Sequence, residues 1–385
     1  MQFGRLGPQC CMLLIKIFKY LDTRYLVFSS DLYMNMNHHK KTFRNLSLIF
    51  SVMLLLGACA GSAGYSTSPV IENTPAALQA YLATELDRVF ETQQDASQPG
   101  VSAMIIKDGA IVYSRSKGMA NINQGLPITT DTAFDIASVT KPITAIAVMQ
   151  LMERRFLSLN DSILKWLPNL PSAWHGITIH HLLSHQSGIT ECCSGISLEK
   201  FRELDGLNNQ QIIRRISQTD VLLFAPGSSA RYSNSNYILL SEIIANASAM
   251  PYSDFIRVNI FNPLGISPHF YGEAPQTGKS IALNRGESIK IFGINYLATG
   301  SDGLFASVSD LKTLISGLLA GRLVSMNSLQ TMTMDHSKMK VKDNVTLHYG
   351  YGWYVSAQGV VWRFLCILVA RMSTQLYCAL TTKRV

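Results

Sequence analysis

Residues 134–142 read Phe-Asp-Ile-Ala-Ser-Val-Thr-Lys-Pro and run directly into an apolar stretch over residues 143–156. Ile143, Ile146, Ala147 and Met149 fall inside a helical pattern. Proline is tolerated in a first helical turn, so Pro142 marks the start. Ser138 then sits at the mouth of the helix and Lys141 lies three residues on, which puts both side chains on one face. A serine hydroxyl is a poor nucleophile until a neighbouring base takes its proton. A lysine serves as that base when burial and neighbours favour the neutral amine. The helix N-terminus also turns backbone N–H groups toward any anion formed beside it. Ser-x-x-Lys alone recurs by chance in many proteins, so the rest of the chain decides its meaning.

Around this segment the chain changes character twice. Leu78, Leu82, Leu86 and Phe90 recur every four residues, predicting an amphipathic helix over 76–92. Residues 101–106 and 110–113 are apolar β-formers parted by Lys107-Asp108-Gly109, a hairpin signal. Helices are predicted over 143–156, 179–183, 209–217, 237–247 and 252–260, with Pro168, Pro171, Pro226, Gly227 and Pro251 between or just ahead of them. Beyond Pro263-Leu264-Gly265 strand-like stretches return, with one more helix over 310–319. The expected fold class is α+β: an antiparallel sheet flanked by helices, with an all-helical lobe of residues 143–267 inserted into it.

A second polar cluster follows at Arg231-Tyr232-Ser233-Asn234-Ser235-Asn236-Tyr237, entered through Pro226-Gly227. By itself it reads as a Ser/Asn-rich helix cap. Together with Ser138-Val139-Thr140-Lys141-Pro142 it resembles the penicillin-recognising serine hydrolases: class C β-lactamases, D-alanyl-D-alanine carboxypeptidases and related esterases. That resemblance implies a β-lactamase/transpeptidase-like fold with Ser138 as nucleophile and Lys141 as its activating base. Tyr232 matches the tyrosine that shuttles the proton to the leaving group. Asn234 matches the residue that donates to substrate and helps hold the lysine. The substrate implied is a β-lactam, a peptidoglycan peptide or an ester, with no cofactor and no metal. His180 to Gly188, Phe261-Asn262-Pro263-Leu264-Gly265, Asp302-Gly303-Leu304 with Ser307 and Asp310, and Tyr349-Gly350-Tyr351-Gly352-Trp353 match further landmarks, so the resemblance spans residues 78–355. His181 and His185 have helical metal-ligand spacing, but Leu182 stands where a zinc hydrolase needs glutamate and no third ligand is evident.

The pattern breaks near the end. This family continues into a strand bearing Lys-Thr-Gly or His-x-Gly, which faces the nucleophile and supplies the second oxyanion N–H. No such triplet occurs in residues 356–385. The expectation is a β-lactamase-like domain over 76–362 followed by an aberrant tail over 363–385, produced by a frameshift near Gly359. An open sheet edge and impaired catalysis follow from it. The alternatives are a divergent strand over 360–370 and, for function, an inactive envelope binding or structural module.

The other end reads as targeting. Lys40, Lys41 and Arg44 precede a short apolar run over 46–56, too short to span a bilayer comfortably. Leu56-Gly57-Ala58-Cys59 resembles a lipobox with Cys59 as the lipidation site, and residues 62–74 look like a tether, so residues 1–75 form leader, signal and tether. The implied location is the bacterial cell envelope, membrane-anchored through lipid and facing the periplasm; Ala60, not aspartate, follows the cysteine and favours the outer membrane. Residues 1–33 sit awkwardly ahead of the signal, and a start at Met34 or Met36 gives normal length. The net charge of +8 is terminal: residues 1–58 carry +5 and 363–385 carry +4, leaving −1 for the body. A nucleic-acid surface therefore has no support. Seven cysteines do not form a disulfide framework, and Cys192-Cys193 is expected as two loop thiols.

Overall fold

The computed structural model describes residues 100–385 except 108, 194–201, 272, 274–296, 341–345, 356–363, 371–374 and 382–385, together with Ala80, Ala83, Thr84 and Asp87. The leader, the lipobox with Cys59 and the tether lie outside the described residues. Of the helix expected over 76–92, the four described residues are helical. Asp87 accepts from the Tyr113 hydroxyl at 2.9 Å and pairs with Arg115, which docks this helix on the first hairpin.

That hairpin is β1 (Val101–Lys107) and β2 (Ala110–Lys117), paired antiparallel with a register irregularity at Ile105/Ile106. Short strands β3 (Met119–Asn121), β4 (Leu126–Pro127) and β5 (Phe134–Asp135) lead into helix α1 (Thr140–Glu153). The helical lobe follows as α2 (Ile179–Leu183), α3 (Asn209–Ile216), α4 (Asn234–Ser248) and α5 (Tyr252–Ile256), the last continuing as a π-turn over Arg257–Phe261. Strands β6 (His269–Phe270) and β7 (Leu304–Ala306) join β5 in a three-stranded sheet. Helix α6 (Val308–Leu319) has a Ser307–Asp310 capping box. Helix α7 (Met326–Met332), not expected from the sequence, is capped by Ser325. Strands β8 (Ser337–Lys340), β9 (Thr346–Tyr349) and β10 (Tyr354–Val355) form a small antiparallel sheet.

In the tail, part of the alternative strand over 360–370 is present. Strand β11 (Phe364–Ala370) pairs antiparallel with β1, placing Cys366 opposite Ile105, and β12 (Gln375–Thr381) pairs with β11. The main sheet runs β12-β11-β1-β2, so residues expected to form an aberrant tail beyond 362 supply half its strands. Pairing depends on backbone and on a β-forming sequence such as Phe-Leu-Cys-Ile-Leu-Val-Ala, not on the missing triplet. The β1 edge is covered by β11.

Lobe and sheet share one core. A single apolar cluster joins Met104 and Ile106 of β1 to residues of α1, α2, α4, α5 and α6. α1 is its axis: every residue from Thr140 to Leu151 is buried. Two helices begin a turn earlier than their apolar periodicity predicts, α1 at Thr140 and α4 at Asn234. Those extra turns carry the polar residues of the site.

Candidate active site

Ser138 is presented by a constrained turn. β5 is fastened to β7 with Phe134 opposite Ala306, and Ile136 N donates to Leu304 O at 3.0 Å. Ala137 then adopts φ +42°, left-handed for a residue with a Cβ, at a cost of about 1–3 kcal/mol. The Asp135 carboxylate steadies this turn by accepting from Ala137 N at 2.9 Å. One 3-10 turn, Ala137–Val139, passes straight into α1, leaving Ser138 partly exposed and Lys141 buried beneath it.

Lys141 is held by hydrogen bonds to three elements of the site. Its Nζ lies 3.0 Å from Ser138 Oγ, 2.7 Å from Asn234 Oδ1 and 3.0 Å from the Ser301 carbonyl oxygen. Two fixed acceptors take two of the amine hydrogens, which aims the remaining position at the serine. The Tyr232 hydroxyl reaches Ser138 Oγ from the other side at 3.0 Å, and its ring stands 4.8 Å from Lys141 Nζ. All four residues singled out from the sequence therefore converge on one point. Ser138, Lys141 and Tyr232 are in direct hydrogen-bond reach, the arrangement an activated serine requires.

Three contributors were not legible beforehand. Glu191 receives Asn234 N at 2.6 Å and Asn234 Nδ2 at 3.2 Å on its two carboxylate oxygens. Ser301 contributes only its backbone carbonyl. His185 is fully buried with φ +59°. Its Nδ1 accepts from Ser233 N at 3.2 Å and from Asn236 Nδ2 at 3.1 Å, which puts its own proton on Nε2. Ser187 orients Asn236 by donating to its Oδ1 at 2.6 Å. Burial, and next the Lys141 charge, hold the imidazole well below its ordinary value, so it is neutral. Its ring lies 4.5 Å from that of Tyr232, and the Tyr354 ring is stacked with Tyr232 at 6.3 Å.

The histidine pair with metal-ligand spacing is employed otherwise. His181 closes the α2 capping box, its Nδ1 accepting from Thr178 N at 3.2 Å, while His185 sits against Tyr232. Cys192 and Cys193 are joined in a disulfide, contrary to the two thiols expected; adjacent half-cystines are uncommon, and nothing in their spacing signals the bond. Among the described residues Glu191, Cys192 and Cys193 are the one group of possible metal ligands, and the disulfide removes both thiolates from it.

β12 runs beside the Ala137–Val139 turn that carries Ser138. The sequence of this strand carries no Lys-Thr-Gly or His-x-Gly.

The family model described as Beta-lactamase matches residues 86–381, a span that takes in both converging motifs and β11–β12. The chain belongs to the β-lactamase family. This family of serine hydrolases includes penicillin-binding proteins and esterases. Penicillin-binding protein 4* of Bacillus subtilis (strain 168) is 30% identical over 289 residues, covering 70% of this chain and 62% of that protein. Esterase EstB of Burkholderia gladioli is 33% identical over 201 residues, covering 49% and 51%. The chain thus spans less than two thirds of the length of either relative. Among solved structures, the octameric penicillin-binding protein homologue from Pyrococcus abyssi superposes with TM-score 0.62 at 26% identity, covering 77% of this chain and 72% of that one. EstCE1, titled a hydrolase with promiscuous acyltransferase activity, gives TM-score 0.60 at 21% identity over 79% and 94%, a likeness of fold. The β-lactamase-family fold and the α+β class expected from the sequence agree with these matches. No helix of the described residues is long and apolar enough to cross a membrane.

Proposed function

We propose that the chain hydrolyses a β-lactam, a peptidoglycan peptide or an ester through an acyl-enzyme on Ser138. The observation that carries this is the placement of Lys141 Nζ and Tyr232 Oη, each 3.0 Å from Ser138 Oγ. Lys141 as neutral amine takes the hydroxyl proton while Oγ bonds to the substrate carbonyl carbon. The bond to the leaving nitrogen or oxygen then breaks, and that atom collects a proton relayed through Tyr232. Water cleaves the resulting ester, returning the proton to Ser138. Asn234 positions Lys141 and offers its second amide hydrogen to substrate.

Turnover is slow in this reading. The missing third triplet removes a basic contact and alters one oxyanion donor, worth about 10²–10³ in rate. The same absence supports a second reading, a lipid-anchored envelope module that keeps the fold without turnover. Labelling with a fluorescent penicillin separates the two: covalent label that disappears in Ser138→Ala supports acylation, and a folded chain that takes no label supports the module. The lipobox-like Leu56-Gly57-Ala58-Cys59 supports anchoring at the periplasmic side of the envelope. Metabolic incorporation of labelled palmitate, abolished by Cys59→Ala, is the expected result; equal incorporation in the variant would sink the anchor.

A further inference from the structure

Glu191 lies outside every motif that marks this site, yet it is the hub behind it. Three nitrogens donate to its carboxylate: Asn234 N to Oε2 at 2.6 Å, Asn234 Nδ2 to Oε1 at 3.2 Å, and Cys193 N to Oε1 at 3.0 Å. The Cys192–Cys193 disulfide follows immediately in the chain, and Thr190 O just ahead accepts from Ser235 Oγ at 2.7 Å. The segment 190–193 is thus tied to the first turn of α4 through Thr190 and the glutamate, and the glutamate in turn holds Cys193 N.

The polarity of this clamp matters more than its strength. An asparagine amide presents an acceptor on one side and a donor on the other, and either can face either neighbour. A carboxylate only accepts. With Glu191 taking the Nδ2 hydrogen, Asn234 must turn Oδ1 toward Lys141, where it meets Nζ at 2.7 Å. Were the amide reversed, its NH2 would face the lysine's own hydrogens and its oxygen would face a carboxylate. Both contacts would be repulsive.

We propose that Glu191 is a positioning residue: it sets the orientation of the Asn234 amide and so keeps an acceptor on Lys141, aiming the amine at Ser138. The consequence for kinetics rests on the acyl-enzyme reading; the orientation itself does not.

The test is a double-mutant cycle with a polarity swap. In Glu191→Gln one of the two acceptors facing Asn234 becomes a donor, so Nδ2 meets another NH2. In the double variant E191Q/N234D the new glutamine accepts from the residue-234 backbone N–H and donates to the aspartate. The second aspartate oxygen still faces Lys141, so the hydrogen bonds linking residues 191, 234 and 141 are restored with the charge moved to residue 234, while the Cys193 N–H loses its acceptor equally in both glutamine variants and cancels from the cycle. Asn234→Asp alone sets two carboxylates against each other.

Two readouts are taken on the full chain. In urea unfolding, the double variant is expected to be more stable than the sum of the single effects. In penicillin labelling, Glu191→Gln is expected to slow acylation about ten- to a hundredfold at unchanged half-saturating penicillin, the range for losing a hydrogen bond to a charged group. The double variant is read for stability alone, because Asn234→Asp also removes the amide hydrogen offered to substrate. Additive effects on stability would overturn the proposal whether or not the protein is labelled. Coupled stability with no labelling of the wild type would uphold the orientation and overturn the acyl-enzyme reading instead.

Discussion

Lys141 and Asn234 meet at 2.7 Å, Nζ to Oδ1, across the junction of α1 and α4, and both belong to the first turn of their helix. The two helices pack along the same core, so the rigid part of the molecule fixes this distance. In the proposed acylation the lysine is needed for its lone pair and not only for its charge.

Lys141→Met and Lys141→Arg separate these two uses. Methionine removes base and charge; arginine keeps the charge but does not deprotonate in proteins. Both variants are expected to lose about 10²–10⁴ in the rate of penicillin labelling, the usual contribution of a positioned base. A Lys141→Arg protein labelled within a few-fold of wild type would show that charge alone suffices.

Recognition from sequence worked where chemistry lies in side chains a few residues apart. Ser138 and Lys141 share a turn, and Tyr232 and Asn234 share another. Glu191, His185 and the Ser301 carbonyl escaped because each acts over a separation that only the fold closes; Ser301 does so through an atom every residue possesses. Apolar periodicity placed α1 and α4 a turn late, because their first turns face the site and not the core. The strands of the tail were legible only as the alternative of a divergent strand over 360–370. A functional triplet was sought, whereas strand pairing needed only Phe364 to Ala370 to be β-forming and β1 to have an unfilled edge.

His185 anchors the loop that carries Tyr232. Replacing it with phenylalanine leaves the Ser233 N–H and the Asn236 amide without their acceptor in a buried place, at about 1–3 kcal/mol for a stranded group. His185→Phe is expected to lower the urea midpoint and slow labelling through Tyr232. His185→Asn, whose Oδ1 falls near the position of Nδ1, is expected to recover part of both. If phenylalanine and asparagine behave alike, the imidazole only fills space.

Gly352 explains why the landmark Tyr-Gly-Tyr-Gly-Trp needs its second glycine. It has φ +84°, and a Cβ there would stand 2.8 Å from Pro142 Cα and 3.0 Å from the Lys141 carbonyl oxygen. Neither neighbour can withdraw, since both belong to the backbone of α1. Gly352→Ala is expected to destabilise by more than the ~1 kcal/mol of a strain-free backbone change and to reduce labelling by displacing the first turn of α1. Unchanged thermal midpoint and labelling would mean that this segment yields freely.

Stability should fall with acid below neutrality. Burial, followed by the charges of His336 and His181, pushes His180 from 6.5 down to about 4; burial also lowers His181, His185 and His336. The folded chain therefore resists protonation that the unfolded chain accepts readily. A base depressed in the folded state binds fewer protons there, so unfolding free energy rises with pH. For His180 the contribution is fully present above about pH 6.5 and disappears as the pH drops toward 4, with no further change from this group below that. Urea midpoints measured between pH 8 and pH 4 are expected to decline over that window. His180→Gln is expected to flatten the decline, since glutamine can still bond the Tyr351 hydroxyl, now 2.7 Å from His180 Nδ1, without titrating. An identical pH profile in the variant would remove His180 from the account and leave the acid sensitivity to the remaining histidines.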